Sequence, residues 1–177
     1  GRFPLTSFGR LNKYSLFAEL FRQLTHPEGC NGAVLPTGIA TDSFNQHFFR
    51  AVVKGESLRA FYDFENEEKI FPGVHHSYRF ALMTQSGRSS KHASLAFRLR
   101  QPSQVSERSY SLTPAEILLI NPNTGTCPVF QSRRDAEITL GIHRAVPVLF
   151  RDARRSQSMR ECVPQIMDAL PDQGVRW

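Results

Sequence analysis

The stretch Leu58-Arg59-Ala60-Phe61-Tyr62-Asp63-Phe64 is the clearest strand signal in the sequence. Leu58, Ala60, Tyr62 and Phe64 alternate with Arg59, Phe61 and Asp63, which is the two-residue period of a β-strand. A polar loop over residues 65–69 follows it. Residues 78–84 and 93–99 predict two more strands, the second antiparallel to its neighbour.

The residues before this strand predict two helices and a further strand. Residues 32–36, Gly-Ala-Val-Leu-Pro, form a short apolar run without polar alternation, which favours a strand buried on both faces of a parallel sheet. A helix over 11–24 is predicted from apolar residues at three- and four-residue steps, and it should end before Pro27. Thr41 or Asp42 caps a second helix to about residue 53, with one apolar face: Phe44, Phe48 and Val52.

The order helix, strand, helix and three strands predicts the C-terminal half of an open α/β sheet with an antiparallel end. Half a sheet exposes an edge and a bare face. We therefore expect either upstream residues of the same polypeptide or self-association through that edge to cover them.

Past residue 100 the pattern predicts a small, mostly helical extension. Residues 101–111 are polar and loop-like. Thr113-Pro114-Ala115-Glu116 has the composition of a helix N-terminus with a capping box. Residues 121–126 predict a turn, and Ser132 caps a predicted helix over 132–144. The basic tail beginning at residues 151–155 is expected to be weakly ordered or to pack irregularly.

Length and composition limit the class of protein. The chain has 177 residues, 40% of them hydrophobic, and no run near the ~20 apolar residues of a membrane span. The formal net charge of +6 favours a polyanionic partner without identifying one. Cys30, Cys127 and Cys162 form no Cys-x-x-Cys pair, which argues against a disulfide framework or a zinc site. The odd number and wide spacing of the cysteines fit a reducing cytoplasm best, and no signal-peptide pattern opens the chain. The non-Met start indicates an excised fragment, although cleavage of a tag also leaves an N-terminal Gly.

Read together, four stretches resemble the later motifs of γ-ordered adenine-N6 DNA methyltransferases, in the methylase part of long restriction-modification or phage-defence polypeptides. Residues 11–17 resemble motif V, residues 32–38 motif VI, and residues 58–66 with 70–80 motifs VII and VIII. Residues 121–126 with 132–137 resemble the region that follows the catalytic domain. The likeness spans roughly residues 8 to 150, and the order and spacing of the motifs are more specific than any one of them.

The resemblance implies a fold and a division of the chain. Residues 1–100 would be the C-terminal half of a Rossmann-like methyltransferase sheet, and residues 101–177 a linker and the start of the region leading to target recognition. The parent would use S-adenosylmethionine, with none expected on the fragment. The Gly-rich cofactor turn and the catalytic Asn-Pro-Pro-aromatic motif are not found in this chain. Asn121-Pro122 lacks the second proline and the aromatic residue, and we interpret it as a turn.

Two aromatic residues would carry the chemistry that the resemblance implies. Phe71, followed by Pro72 on a loop between strands, would stack on an adenine flipped out of the duplex. Phe17 would pack against the adenine ring of the cofactor. The structural alternatives are a loop anchor for Phe71 and a core phenylalanine for Phe17.

The remaining candidates concern DNA contacts. Because adjacent side chains of a strand point to opposite faces, His75 and His76 make a poor metal site, and we expect solvated or phosphate-facing histidines, or simple loop residues, and no metal. Arg133 and Arg134 would contact phosphates of double-stranded DNA, as would four arginines further on: Arg144, Arg151, Arg154 and Arg155. On a helix Arg133 and Arg134 point about 100° apart, so at most one of them should face the DNA, and the alternative for the whole set is a solvated face. The acidic cluster Asp63, Glu65, Glu67 and Glu68 is interpreted as a solvated strand end and loop.

Two other classes of function remain open from the sequence. One is a non-catalytic basic module for DNA binding or assembly that shares the topology. The other is a different Rossmann-like enzyme that acts on RNA or on a small molecule. A substitution of Phe71 distinguishes the first from a methyltransferase, and the sequence upstream of Gly1 distinguishes the second.

Overall fold

A computed structural model describes residues 1–9 and 11–146 of the protein. Those residues form a mixed α/β fold, which confirms the predicted class. The helices are α1 (Lys13–Leu24), α2 (Gly38–Thr41), α3 (Gln46–Lys54), α4 (Gln104–Arg108), α5 (Pro114–Ile120) and α6 (Arg133–Ala145). The strands are β1 (Cys30–Pro36), β2 (Leu58–Glu65), β3 (Arg79–Ser86), β4 (Ala93–Leu99) and β5 (Tyr110–Leu112), and two 3₁₀ turns lie at Ser43–Asn45 and Asn66–Glu68.

Within the described part of the chain, five strands form one sheet in the order β1-β3-β2-β4-β5. β3 runs antiparallel to both β1 and β2, while β4 runs parallel to β2. β5 runs antiparallel to β4. The predicted antiparallel end is therefore present, although β4 is antiparallel only to β5 and not to the strand before it in sequence.

The larger core lies between one face of the sheet and the helices, and we call this side the helix face. Phe48, Phe49, Val52 and Val53 of α3 are buried there against the sheet. Phe61 lies at the centre of the packing, with its ring 6.2 Å from that of Phe49 and 5.8 Å from that of Phe97. Burial of large apolar side chains of this kind contributes about 2 kcal/mol each.

The opposite face of the sheet carries a smaller apolar cluster. Phe64, Ala96 and Leu99 are buried in it, with Tyr62, Phe80 and Val105 packed around them. Further along the same face, toward β1, Val34 and Leu82 are exposed. Helices thus cover one face of the sheet, and the other face is partly open.

β1 corrects one expectation. The apolar run 32–36 does form a strand, but that strand pairs with β3 alone among the described residues, in the antiparallel direction. Its residues alternate in burial, and only Leu35 is fully buried. Small residues such as Gly32 and Ala33 fit an edge strand as well as a central one, so apolar character alone did not determine the position.

α1 confirms the predicted helix but not the predicted direction of its apolar face. The residues that α1 buries are Ser15, Ala18 and Glu19. The Glu19 carboxylate accepts hydrogen bonds from the Thr6 hydroxyl at 2.6 Å and from the Leu5 N–H at 3.2 Å. Because these polar groups are paired inside the protein, the helix turns Phe17, Phe21 and Leu24 outward, and Leu11, which precedes the helix, is exposed as well.

The second predicted helix is interrupted. It consists of α2, a 3₁₀ turn and α3, with Asp42 between the first two pieces. Phe48 and Val52 are buried as predicted, but Phe44 is exposed because it falls in the 3₁₀ turn and outside the period of α3.

Residues 101–111 are not the loop that was predicted, since they contain α4 and β5. The predicted capping box of α5 at Thr113 and the predicted cap of α6 at Ser132 are both present, and Ser132 also forms a capping box with Asp135. Gly1–Pro147 form one compact unit. The functional division proposed at residue 100 therefore coincides with no structural boundary, and it stays a prediction. The basic residues 151–155 lie outside the described residues.

Candidate functional site

The loop between β2 and β3, residues 66–78, exposes an unusual amount of apolar surface. Ile70, Phe71, Val74 and Tyr78 are all exposed, Phe71 to 40% of its surface. Exposed apolar side chains are ordinary when scattered, and a group of four in nine residues makes this loop a candidate binding surface. We call residues 66–78 the aromatic loop.

Phe71 is anchored on one side and open on the other. Its ring lies 4.8 Å from the ring of Phe80, at an interplanar angle of 78°. Phe80 in turn stacks on Phe64, with centroids 5.4 Å apart and planes within 8°. The exposed ring is therefore supported by two aromatic side chains of the partly open sheet face, and Pro72 follows it in an exposed position.

The aromatic loop is held from inside by Asn66, whose surface is fully buried. Its side-chain amide donates to the carbonyl of Phe71 at 3.0 Å and to that of Val74 at 2.9 Å. Its side-chain oxygen accepts from the N–H of Phe71 at 2.9 Å. Its own N–H donates to the Tyr78 carbonyl, and its carbonyl accepts from the N–H of Lys69.

Asp63 is buried, which corrects its assignment to a solvated acidic cluster. No part of its surface is exposed, and its carboxylate accepts from the Thr37 hydroxyl, the Arg79 guanidinium and the Arg98 N–H. The carboxylate thereby joins the end of β1 to β2, β3 and β4. The other acidic residues do lie at the surface or partly so: Glu65 pairs with Arg100, Glu67 with His76, and Glu68 is exposed.

His75 and His76 lie in the aromatic loop and not in a strand, so the expected opposite orientation is wrong. Their rings are neighbours, with centroids 4.4 Å apart. His75 Nδ1 lies 2.8 Å from the Ser77 hydroxyl, and His76 Nδ1 lies 3.4 Å from a Glu67 carboxylate oxygen. Within the described residues, no group of three or more His, Cys, Asp or Glu side chains is placed to hold a metal ion.

Phe17 is 54% exposed on α1, with its ring 6.3 Å from that of Phe21. Phe17 is therefore not part of the core that the described residues form. Its face is free to pack against a ligand or another segment of protein.

Arg133 and Arg134 are exposed on α6. Arg133 forms an ion pair with Glu137 at 2.8 Å, and Arg144 forms another with Glu116 at 2.8 Å. α6 packs on the helix face through Ala136 and Leu140, whereas Phe71 contacts the opposite face. The structure therefore does not bring these arginines together with Phe71.

A cavity of about 400 Å³ lies between β5 and α6, lined in part by Tyr110, Arg133 and Arg144. Burial raises the pKa of the Tyr110 hydroxyl above its ordinary value, and burial likewise raises the pKa of the Cys127 thiol. Both groups therefore stay protonated at neutral pH, which suits packing better than acid–base chemistry. Cys30 and Cys127 are both free thiols.

Sequence reasoning predicted that Phe71 lies on a loop between strands, as the structure shows, but it missed Asn66 and the burial of Asp63. One local signal does exist for Asn66, because asparagine side chains commonly hydrogen-bond backbone groups a few residues further on. The partners of Asp63 are separated from it by 16 to 35 positions in sequence, and no local pattern predicts them.

No described helix is long and apolar enough to cross a membrane.

No protein-family model matches the chain, and no curated protein matches it. Its fold is similar to that of the methyltransferase subunit of a type I restriction-modification system from Streptococcus thermophilus. The TM-score is 0.52 at 12% identity, and the match covers 71% of this chain and 32% of the other. The type IIG restriction endonuclease BpuSI also matches, with a TM-score of 0.46 at 16% identity over 77% of this chain and 16% of the other.

The fold of this chain is thus similar to that of part of the Streptococcus thermophilus subunit. The chain spans about a third of the length of the Streptococcus thermophilus subunit that it matches.

Proposed function

We propose that this chain is the C-terminal half of the catalytic domain of an S-adenosylmethionine-dependent DNA adenine-N6 methyltransferase of the restriction-modification type. In this proposal an upstream segment of the same polypeptide supplies the Gly-rich turn and the catalytic Asn-Pro-Pro-aromatic motif. The aromatic loop supplies the surface that holds the flipped base. The observation that carries the proposal is the exposed ring of Phe71, backed by Phe80 and Phe64 and placed on an internally braced loop.

Phe71 suits this role because adenine N6 is out of reach inside a duplex. An enzyme that modifies it must rotate the base out and then hold it. Stacking of a base on an aromatic side chain contributes about 1–3 kcal/mol. A ring that is held on one side and open on the other provides such a surface without a further conformational change.

Phe17 is the residue of this chain that would hold the cofactor. Its ring is exposed and unconstrained on its outer face, which fits a contact with the adenine ring of S-adenosylmethionine. When bound, the cofactor supplies the methyl group. The contribution of Phe17 is to bind and orient, and no acid–base role is assigned to it.

The proposed DNA contacts divide between two sides of the sheet. Pro72, His75 and His76 lie beside Phe71 and would face the duplex around the flipped base. Arg133 and Arg134 lie on α6, on the helix face, and would contact phosphates further along the DNA. Each arginine should therefore affect affinity and its salt dependence more than base capture.

A kinetic comparison of Phe71 variants tests the proposal, using the longer polypeptide that contains this chain. Phe71→Ala should lower kcat/KM for methyl transfer to adenine about tenfold or more, because the stacking surface is lost. Phe71→Trp should stay within about threefold of wild type, because an aromatic face is kept. The matched control is Phe44→Ala, which removes another exposed phenylalanine outside the aromatic loop and should leave kcat/KM unchanged.

Equal activity of Phe71→Ala and wild type contradicts the proposal and favours a basic binding module, for which only DNA affinity matters. Two further outcomes also bear on it. This chain alone should transfer no methyl group above a blank. The reading frame upstream of Gly1 should encode an Asn-Pro-Pro-aromatic motif, and its absence argues for a different class of enzyme.

A further inference from the structure

We infer that Asn66 is a positioning residue that sets the orientation of the Phe71 ring for base capture. The inference rests on the proposed function of Phe71, and it adds a residue to which no role was assigned. Asn66 lies at the point where β2 ends and the aromatic loop begins.

The contacts of Asn66 reach every part of the aromatic loop. At the entrance its carbonyl closes the 3₁₀ turn by accepting from the N–H of Lys69 at 2.9 Å, where Lys69 adopts a left-handed φ of 49°. At the tip its side chain bonds the N–H and the carbonyl of Phe71 and the carbonyl of Val74. At the exit its N–H reaches the carbonyl of Tyr78 at 3.2 Å.

The two hydrogen bonds between the Asn66 side chain and the Phe71 backbone determine the direction in which the Phe71 side chain points. Asn66 engages both backbone groups of Phe71, the N–H and the carbonyl, and so fixes the peptide units on the two sides of its Cα. With both peptide units fixed, the direction of the Cα–Cβ bond is fixed as well, and the contact with Phe80 then holds the ring. A loop that exposes four large apolar side chains would otherwise collapse onto the open sheet face to bury them.

An asparagine is the side chain that this arrangement requires. Two donors and one acceptor are used, and only a primary amide offers both within one short side chain. The substitution Asn66→Asp would keep the acceptor for the Phe71 N–H but remove both donors, and the new carboxylate charge would face two carbonyl oxygens. The aspartate side chain therefore has nearly the shape of the asparagine side chain, and the substitution removes only the two donated hydrogen bonds.

A double-mutant cycle between Asn66→Asp and Phe71→Ala, in the longer polypeptide, tests the inference. Asn66→Asp alone should lower kcat/KM for methyl transfer about tenfold or more, since the hydrogen bonds to the carbonyls of Phe71 and Val74 are lost and the new charge faces both oxygens. In the Phe71→Ala background, Asn66→Asp should cause less than about a twofold further loss, because its effect passes through the ring. A purely structural role predicts losses that multiply.

Hydrogen exchange on this chain supplies a second readout that needs no enzyme activity. The Phe71 amide should exchange more slowly in wild type than in Asn66→Ala, by about tenfold or more, because the side-chain oxygen of Asn66 accepts its hydrogen bond. The matched control is Asn121→Ala, which removes an asparagine that braces the separate turn at residues 121–126. That control should leave the exchange of Phe71 unchanged.

The outcomes separate the two claims. Wild-type activity of Asn66→Asp beside an impaired Phe71→Ala, or losses that multiply in the cycle, overturns the role of Asn66 and leaves the proposed function in place. An unprotected Phe71 amide in wild type overturns it as well. A fully active Phe71→Ala overturns the proposed function itself.

Discussion

Asp63 shows how one buried side chain organises the end of the sheet from which the aromatic loop emerges. It ties Thr37 after β1, Arg79 at the start of β3 and the backbone of Arg98 in β4. Arg98 adopts a left-handed φ of 54°, which is uncommon outside glycine, and it lies where the pairing of β2 and β4 shifts register. The bond from its N–H to Asp63 stabilises that conformation.

Asp63→Asn should therefore lower the free energy of unfolding by about 3 kcal/mol, because it removes the charge of a buried carboxylate that pairs with the partly exposed Arg79 and replaces one acceptor oxygen with an amide donor. Urea unfolding of this chain measures the change. Glu65→Gln, two residues further along β2, is the matched control. Its partner Arg100 lies 3.7 Å away at the surface, so that change should cost less than about 1 kcal/mol. Equal effects of the two substitutions would show that the Asp63 network contributes little.

The same residues show what local sequence reveals and what it does not. Phe71 stands next to Pro72 between two predicted strands, so its place on a loop could be predicted. The burial of Asp63 could not, because the partners that compensate for its charge lie on three other segments of the chain. Burial of a carboxylate is a property of the assembled sheet, and a charged residue considered alone is assigned to solvent.

α5 and α6 begin with the same reciprocal pair of hydrogen bonds. The Thr113 hydroxyl accepts from the Glu116 N–H at 3.2 Å, and the Glu116 carboxylate accepts from the Thr113 N–H at 2.8 Å. Ser132 and Asp135 repeat the pattern. Both caps were predictable because capping depends on residues only three positions apart.

Thr113→Ala should destabilise the protein by about 1 kcal/mol, because one cap bond is lost while the helix stays in place. Ser103→Ala is the matched control, since Ser103 stands at the same position of α4 but its side chain makes no cap hydrogen bond. Thermal unfolding of the two variants should separate them by several degrees. Identical melting temperatures would mean that the α5 cap contributes nothing measurable.

α1 and β1 show the limit of periodic patterns. The spacing of apolar residues predicted both elements, with their ends within two residues. It did not predict that α1 would bury Ser15 and Glu19 and expose Phe17, nor that β1 would be an edge strand. Those outcomes depend on which polar groups find partners and which strands are present, and neither is encoded in the period of one segment.

The described protein leaves two neighbouring surfaces uncovered. One is the free edge of β1, and the other is the apolar stripe of α1 formed by Phe17, Phe21 and Leu24. An unpaired edge and an exposed aromatic stripe are both features that proteins usually cover. They support the proposal that an upstream segment completes the catalytic domain there, while self-association through the same edge stays a prediction.

The central claim is that Phe71 receives a base taken out of the DNA duplex. Fluorescence of 2-aminopurine at the target adenine reports this directly, because the emission rises when the base leaves the stack. The longer polypeptide should produce that rise. With Phe71→Ala the rise should be smaller, because the equilibrium constant for capture of the base falls about tenfold. The same rise with wild type and Phe71→Ala, at equal occupancy of the DNA, would contradict the account.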